Sequence, residues 1–315
     1  MILTVTANPL IDRTLVVNSL QPGKILRATH VSEIVGGKGI NVARIVKVLG
    51  EDVHAISFVG GYYGGWLQDI LELDNIPNTL IRTLSPTRFQ VSILDNTSKT
   101  HTDIIDPGSY VSTNEIQTMI YESENLIMRT PAIKWLVLSG STPQGKVSNL
   151  YYDLIKLANK YNVKTVLDSY GEFFKMALKA KPYIVKQNKQ EAETLLRKPI
   201  NSKVKILDYI KKMWDIGIAL PILTMGKDGA IAGYQNKIWE IKPPKVKIVN
   251  ATGSGDAFIG TLVVKLSQGK SMEESLCWAT AAGAANATVW IPCGCTQSQI
   301  RQILPKVKIQ LLYPS

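Results

Sequence analysis

Short, continuous apolar runs alternate along the chain with longer stretches in which apolar residues recur every three or four positions. The runs lie at Met1–Thr6, Ala55–Val59, Trp135–Ser139, Thr165–Asp168, Tyr183–Lys186 and Pro221–Met225, most of them closed by Gly, Asn-Pro or Asp. Runs of this kind predict strands buried on both faces of a parallel sheet. The stretches between them, Ile40–Leu49, Tyr63–Leu73, Ser112–Met128, Leu150–Tyr161, Gln190–Leu196 and Val204–Ile216, carry helical periodicity. The alternation predicts an α/β fold: a mostly parallel central sheet built from right-handed crossover units, with helices on both faces.

Two kinds of segment depart from that rhythm. Ala257–Gln268 and Met272–Thr288 are successive helical patterns rich in small residues, suited to close packing. Leu10–Ile34 and Arg88–Ile105 instead alternate as strands do, with Asp95–Lys99 placed as a hairpin turn. These two segments predict a small separate sheet beside the core. Pro305–Ser315 carries no readable pattern, and no internal repeat is present.

Composition narrows the function classes. Hydrophobic residues make up 45% of the 315 positions and charged residues 19%, which excludes a disordered chain. No apolar run approaches the roughly 18 residues of a membrane span, and Met1–Asp12 lacks the basic flank of a signal peptide. Three cysteines exclude a disulfide scaffold and suit a reducing cytoplasm. The net charge of +11 comes from dispersed lysines, without a basic run and without interleaved aromatics. It therefore reads as a solvated surface; nucleic-acid and membrane partners are not expected, and anionic small substrates fit it.

The chemistry-bearing segments cluster where predicted strands end. Asn250-Ala251-Thr252-Gly253-Ser254-Gly255-Asp256-Ala257-Phe258 sets two glycines and an acid at the start of an apolar helix. Glycines let backbone N–H groups converge, and the helix adds its positive end, so the segment reads as an anion hole with Asp256 beside it as a proton acceptor. Gly36-Gly37-Lys38-Gly39-Ile40-Asn41 opens another helix and lacks the pattern of a Walker loop. Its glycines admit a ligand to the backbone, Asn41 can bind hydroxyls, and Lys38 can meet a phosphate. Asp12 follows the first strand and can accept sugar hydroxyls. Asn188 and Glu191, three apart after the fifth strand, can hold hydrated Mg²⁺ or, equally, cap a helix. Thr224-Met225-Gly226-Lys227-Asp228-Gly229-Ala230, before Ile231–Tyr234, suits a strand–turn–strand whose backbone lines a nucleotide edge, though by itself it reads as a hairpin turn. The three histidines show no metal-ligand spacing, and Cys293-Gly294-Cys295 has no partner pair for zinc.

Taken in order, these segments resemble the ribokinase-like sugar kinases, the phosphofructokinase B family, over nearly the whole chain. Its two signatures match at Gly36–Gly50 and Asn250–Phe258, while Thr4–Asp12, Thr87-Arg88 and Ser139–Pro143 resemble its hexose-phosphate branch. That branch holds 1-phosphofructokinase, tagatose-6-phosphate kinase and a minor 6-phosphofructokinase. The resemblance implies one ribokinase-like domain over 1–315 whose small sheet, 10–34 with 88–105, serves as a lid and dimer contact. It implies ATP and Mg²⁺ as cofactors and a phosphorylated ketohexose as acceptor, fructose 1-phosphate first and tagatose 6-phosphate or fructose 6-phosphate as alternatives, with a non-catalytic sugar-phosphate-binding protein as the distant one. It makes Asp256 the base and Gly253, Ser254 and Gly255 the anion hole. Asp12, Gly37 and Asn41 would bind the sugar, with Arg27, Lys38, Arg88 and Ser139 at its phosphate. Lys186, Asn188 and Glu191 would serve the triphosphate and metal, and Thr224, Gly226 and Gly229 the nucleotide. An Asp of ordinary acidity is expected to suffice as base, since positioning and electrostatics do most of the work in phosphoryl transfer. The chain departs from the family pattern at Gln187, where Pro is usual, at Ala251, where Thr is common, and at the Pro292–Cys295 loop.

Overall fold

The computed structural model describes residues 1–145, 147 and 149–313. Ten described strands form the main sheet, running from one edge as Asn78–Arg82, Val53–Val59, Ile2–Thr6, Trp135–Ser139, Lys164–Asp168, Ile184–Asn188, Leu220–Thr224, Ala230–Tyr234, Lys237–Lys242 and Lys308–Tyr313. The first seven are parallel and the last three antiparallel. Ile2–Thr6 and Trp135–Ser139 are buried at every position, as their unbroken apolar pattern requires.

Alternate side chains feed two cores. Ile2, Val137, Val166 and Ile184 pack on one face against helices Lys38–Val48, Gly61–Leu73, Ser254–Ser267 and Met272–Asn286. Leu3, Val5, Leu136, Leu138 and Val185 pack on the other against Thr113–Arg129, Leu150–Lys160, Gly171–Leu178 and Lys203–Asp215. Helices thus cover both faces of a mostly parallel sheet, as the periodicity predicts.

The strand-like segments form a second, four-stranded sheet in the order His30–Gly36, Leu10–Val17, Arg88–Asp95, His101–Ile105. Its central pair is parallel, Asp12 standing beside Gln90, and its outer pairs are antiparallel. The turn after Asp95 is held by that carboxylate, which accepts N–H bonds from Leu20, Thr97 and Ser98 and is drawn down to a pKa of about 2.

Five of the longer described elements lay outside the sequence reading: Asn78–Arg82, Gly171–Leu178, Lys237–Lys242, Gln297–Ile303 and Lys308–Tyr313. Lys237–Lys242 joins Ala230–Tyr234 through Gln235 and Asn236, both in left-handed conformation, a turn usually marked by glycine. Lys308–Tyr313 pairs along Lys237–Lys242 at the sheet edge, so long-range pairing rather than local pattern makes it a strand; residues 314–315 of that tail lie outside the described residues.

Candidate active site

Thr6, Ser139, Asp168, Asn188 and Thr224 end five neighbouring parallel strands, so their side chains gather at one edge of the sheet. Open α/β sheets bind ligands at this carboxyl edge. A cavity of about 1010 Å³ lies there, and Leu10, Asp12, Arg88 and Gln90 of the small sheet form its far wall. Every candidate residue named from the sequence lines it except Arg27 and Glu191. Arg27 is exposed in the loop joining Leu10–Val17 to His30–Gly36.

The glycine-rich segment builds one end of the cavity. Gly253 adopts φ 79°, turning the chain into helix Ser254–Ser267, and a Cβ there would come within 2.9 Å of Pro292. Ala257 N–H is the first to bond within that helix, to Gly253 O, and Ser254 N–H turns back to Ala251 O. The Gly255 and Asp256 N–H groups have no intrahelical acceptor and sit at the positive end of the helix. Lys186 Nζ lies 2.9 Å from where a Gly255 Cβ would stand. Main-chain donors and a cation thereby share one corner of the cavity, a setting suited to an anion.

Fully buried Asn286 fixes this corner. Its Nδ2 donates to Thr252 O at 2.8 Å and to Ser254 Oγ at 3.0 Å, and its Oδ1 accepts from Cys293 N–H at 2.6 Å. Sequence reasoning missed Asn286, because it lies inside a helix of small residues with no local motif.

Asp256, in the first turn of the same helix, accepts a 2.8 Å hydrogen bond from Asn41 Nδ2. The two signatures meet because helices Lys38–Val48 and Ser254–Ser267 cross closely: a Cβ on Gly260 would stand 2.2 Å from Ile45 Cγ2. Burial pushes the Asp256 carboxyl up to about 6, against opposing pulls from Lys38 and the Asn41 hydrogen bond. It is thus a weaker acid than the ordinary Asp expected from sequence, and a stronger proton acceptor once ionised.

Asp168 is the second residue the sequence reading passed over as a functional group. It is wholly buried; its Oδ1 accepts from Lys186 Nζ at 3.0 Å and Lys38 Nζ at 3.4 Å, while its Oδ2 has no partner. The two ammonium groups outweigh the desolvation and hold its carboxyl below the usual range. Lys38 is raised in turn by Asp168 and Glu191. The only signal in the sequence was an acid closing a parallel strand.

Asn188 and Glu191 form a capping box on helix Lys189–Leu196, each side chain accepting the other's N–H at 2.8 Å. The second Glu191 oxygen stands 3.6 Å from Lys38 Nζ. Gln187 is buried where the family pattern has Pro, and its Oε1 accepts from Tyr209 at 3.0 Å. On the small sheet, Arg88 Nη2 donates to Asn8 O at 3.1 Å and its Nε is buried without a partner. Burial there lowers the guanidinium pKa. The three cysteines are free.

Unbonded main-chain N–H groups at a helix start, a buried carboxylate and paired lysines at the carboxyl edge of an α/β sheet are groups that phosphoryl transfer can use. Residues 4–295 match the pfkB family carbohydrate kinases, and the chain belongs to that family. It is 28% identical to the 1-phosphofructokinase of Borreliella burgdorferi, with both chains covered in full. It is 30% identical over 290 residues to the tagatose-6-phosphate kinase of Staphylococcus epidermidis, covering 91% of this chain and 92% of that one. Among solved structures, phosphofructokinase-2 from Escherichia coli in complex with substrates and products superposes with a TM-score of 0.88 at 26% identity, covering 97% and 98% of the chains. Arabidopsis thaliana ribokinase shares the fold, with a TM-score of 0.76 at 20% identity over 96% and 98% of the chains.

Proposed function

We propose that this carbohydrate kinase transfers the γ-phosphoryl of ATP to the free primary hydroxyl of fructose 1-phosphate. The observation that carries the reading is the Asp256 carboxylate in one cavity with the free amides of its own helix start and, opposite them, Asp12 and Arg88. The sugar lies between Asp12, Asn41 and the small sheet, which acts as the lid. Arg88, Lys38 and Ser139 meet its existing phosphate. Arg88 Nε and Ser139 Oγ, buried without partners, suit a ligand rich in acceptors and hydroxyls.

Asp256 orients the acceptor hydroxyl and takes its proton. Ser254 N–H is taken up by Ala251 O, so the Gly255 and Asp256 amides, with Lys186, offset the negative charge that builds as the phosphoryl moves in line. Thr224, Gly226 and Gly229 border the nucleotide. Asn188 and Glu191 carry hard oxygens of the kind that suits Mg²⁺, though these are engaged in the capping box and with Lys38, while Asp168 Oδ2 is unpartnered. When bound, Mg²⁺ neutralises phosphate charge. The small sheet excludes water, which competes as acceptor.

Fructose 1-phosphate leads because the relative aligned over both full lengths is named for that activity. The tagatose-6-phosphate kinase match supports a second reading, tagatose 6-phosphate, with fructose 6-phosphate beside it. A coupled ADP-release assay over these three, with ATP and Mg²⁺, decides between them. The highest kcat/KM on fructose 1-phosphate is expected, and turnover of none of the three would end the reading.

A homodimer through the small sheet belongs to the same proposal. Val31 and Ile104 are exposed on the face that points away from Asp12, with Leu15 and Ile93 half-buried between them. Sedimentation should give a dimer that Ile93→Glu dissociates. The reading places the enzyme in the cytoplasm, where three free thiols persist; no described helix is long and apolar enough to cross a membrane.

A further inference from the structure

On the cavity face of the small sheet, Asp12 is tied to two groups beyond the cavity wall. Ser92 Oγ stands 3.0 Å from Asp12 Oδ1 and 2.7 Å from Asp103 Oδ1. Gln90 Nε2 donates to Ser92 Oγ at 3.1 Å and to Asp103 Oδ1 at 3.3 Å. His101 Nε2 lies 2.8 Å from that same Asp103 oxygen. The register makes this chain: Thr14, Ser92 and Asp103 stand side by side, so Ser92 is diagonal to Asp12, and His101 follows two places from Asp103 on the same face.

A serine hydroxyl has one proton. Two carboxylates compete for it here, and the winner is set by what else each of them accepts. Asp103 draws on Gln90 and His101; Asp12 has Ser92 as its hydrogen-bond donor. We infer that Ser92, backed by Asp103 and His101, is a positioning group for Asp12. It holds that carboxylate aimed into the cavity in the free enzyme and turns its proton wholly to Asp103 when sugar hydroxyls donate to Asp12. Neither acid is then left without a donor in either state, which removes the cost of a bare, half-buried carboxylate. This role rests on the reading of Asp12 as a sugar-binding residue.

The groups facing Asp12 are few. The next strand presents Arg88, Gln90 and Ser92, and the strand beyond presents Asp103 and His101. The strand on the other side presents Ser32, Ile34 and, at its outer end, His30, which stacks edge-on to Trp290. Arg13 and Glu33 lie on the opposite face. Lys38 and Asp256 border the same cavity from the main sheet. Burial raises the Asp12 carboxyl, Ser92 and His101 lower it, and Asp103 raises it.

The test titrates the Asp12 carboxyl by ¹³C NMR in the free protein, assigned against Asp12→Asn. Ser92→Ala should move its midpoint up, Asp103→Asn should move it down, and Ser92→Thr, which keeps the hydroxyl, should restore the wild-type value. Midpoints that stay put in the first two variants, or shift in one direction, would overturn the assignment. In the kinase assay Ser92→Ala should raise KM for fructose 1-phosphate about tenfold, with kcat and KM for ATP within twofold of wild type. An unchanged sugar KM also overturns it. A wild-type protein that phosphorylates no sugar phosphate sinks the functional reading instead, and the carboxyl titration still decides the role of Ser92.

Discussion

Asp168, Lys186 and Asp256, on the main-sheet side of the cavity, are no more than 5% exposed. On the small-sheet side, the side chains of Asp103 and His101 are 40% and 45% exposed. Charges in the first region are out of water and must answer one another: one carboxylate between two ammonium groups, another against an amide at the start of a helix. Charges in the second are partly solvated and joined by neutral hydrogen-bonding groups along a sheet face. Buried, fixed charge suits the transferring phosphoryl group, whose needs are the same in every turnover. A half-exposed network of single hydrogen bonds suits a wall that must accept and release a ligand, the part the proposed function gives to the small sheet. Under the proposed function, the difference divides catalysis from binding across one cavity.

Variants sharpen that division. Asp256→Asn should cut kcat by about 10²–10⁴-fold, the usual contribution of a general base, with little change in ATP affinity. Near-wild-type turnover would remove Asp256 from the reaction.

Asp168→Ala leaves Lys186 and Lys38 without their shared carboxylate in a buried site. Loss of one partner of a buried pair costs about 3–5 kcal/mol, read as a lower midpoint in urea unfolding. An unchanged midpoint would mean that these lysines relax into water and that the region is less rigid than its burial implies.

Arg88→Ala, on the opposite wall, should spare stability and raise the sugar-phosphate KM by roughly 10- to 100-fold through a lost charged hydrogen bond. A rise in ATP KM alone would place Arg88 at the wrong substrate.

The pH dependence is the gentlest probe. A carboxyl raised to about 6 is protonated below that value and cannot accept a proton, so kcat/KM should fall about tenfold per unit below pH 6. Asp168, held low by its lysines, keeps its stabilising charge until the pH falls through its lowered pKa. Stability should therefore persist at pH 5, where activity has begun to fail, and parallel loss of both would contradict the assignment.

The central strands and the larger helices were legible because each is written in its own residues. An unbroken apolar run such as Trp135–Ser139 has one comfortable place, the middle of a doubly covered sheet. The glycine-rich start of Ser254–Ser267 was legible for a similar reason: a left-handed Gly253 and free N–H groups at a helix start are local properties of the backbone. Tertiary structure alone decided the rest. Asp168 is one acid at a strand end until two lysines from distant segments converge on its Oδ1. Asn286 is one polar residue among alanines until it closes the anion corner. Asp256 is one acid at a helix start until the fold buries it and makes it a weaker acid, against the pull of the hydrogen bond from Asn41, 215 positions away. Local pattern fixes what a segment's own backbone and side chains prefer. Burial, charge pairing and shared protons are properties of groups far apart in sequence, and only the folded chain brings them together.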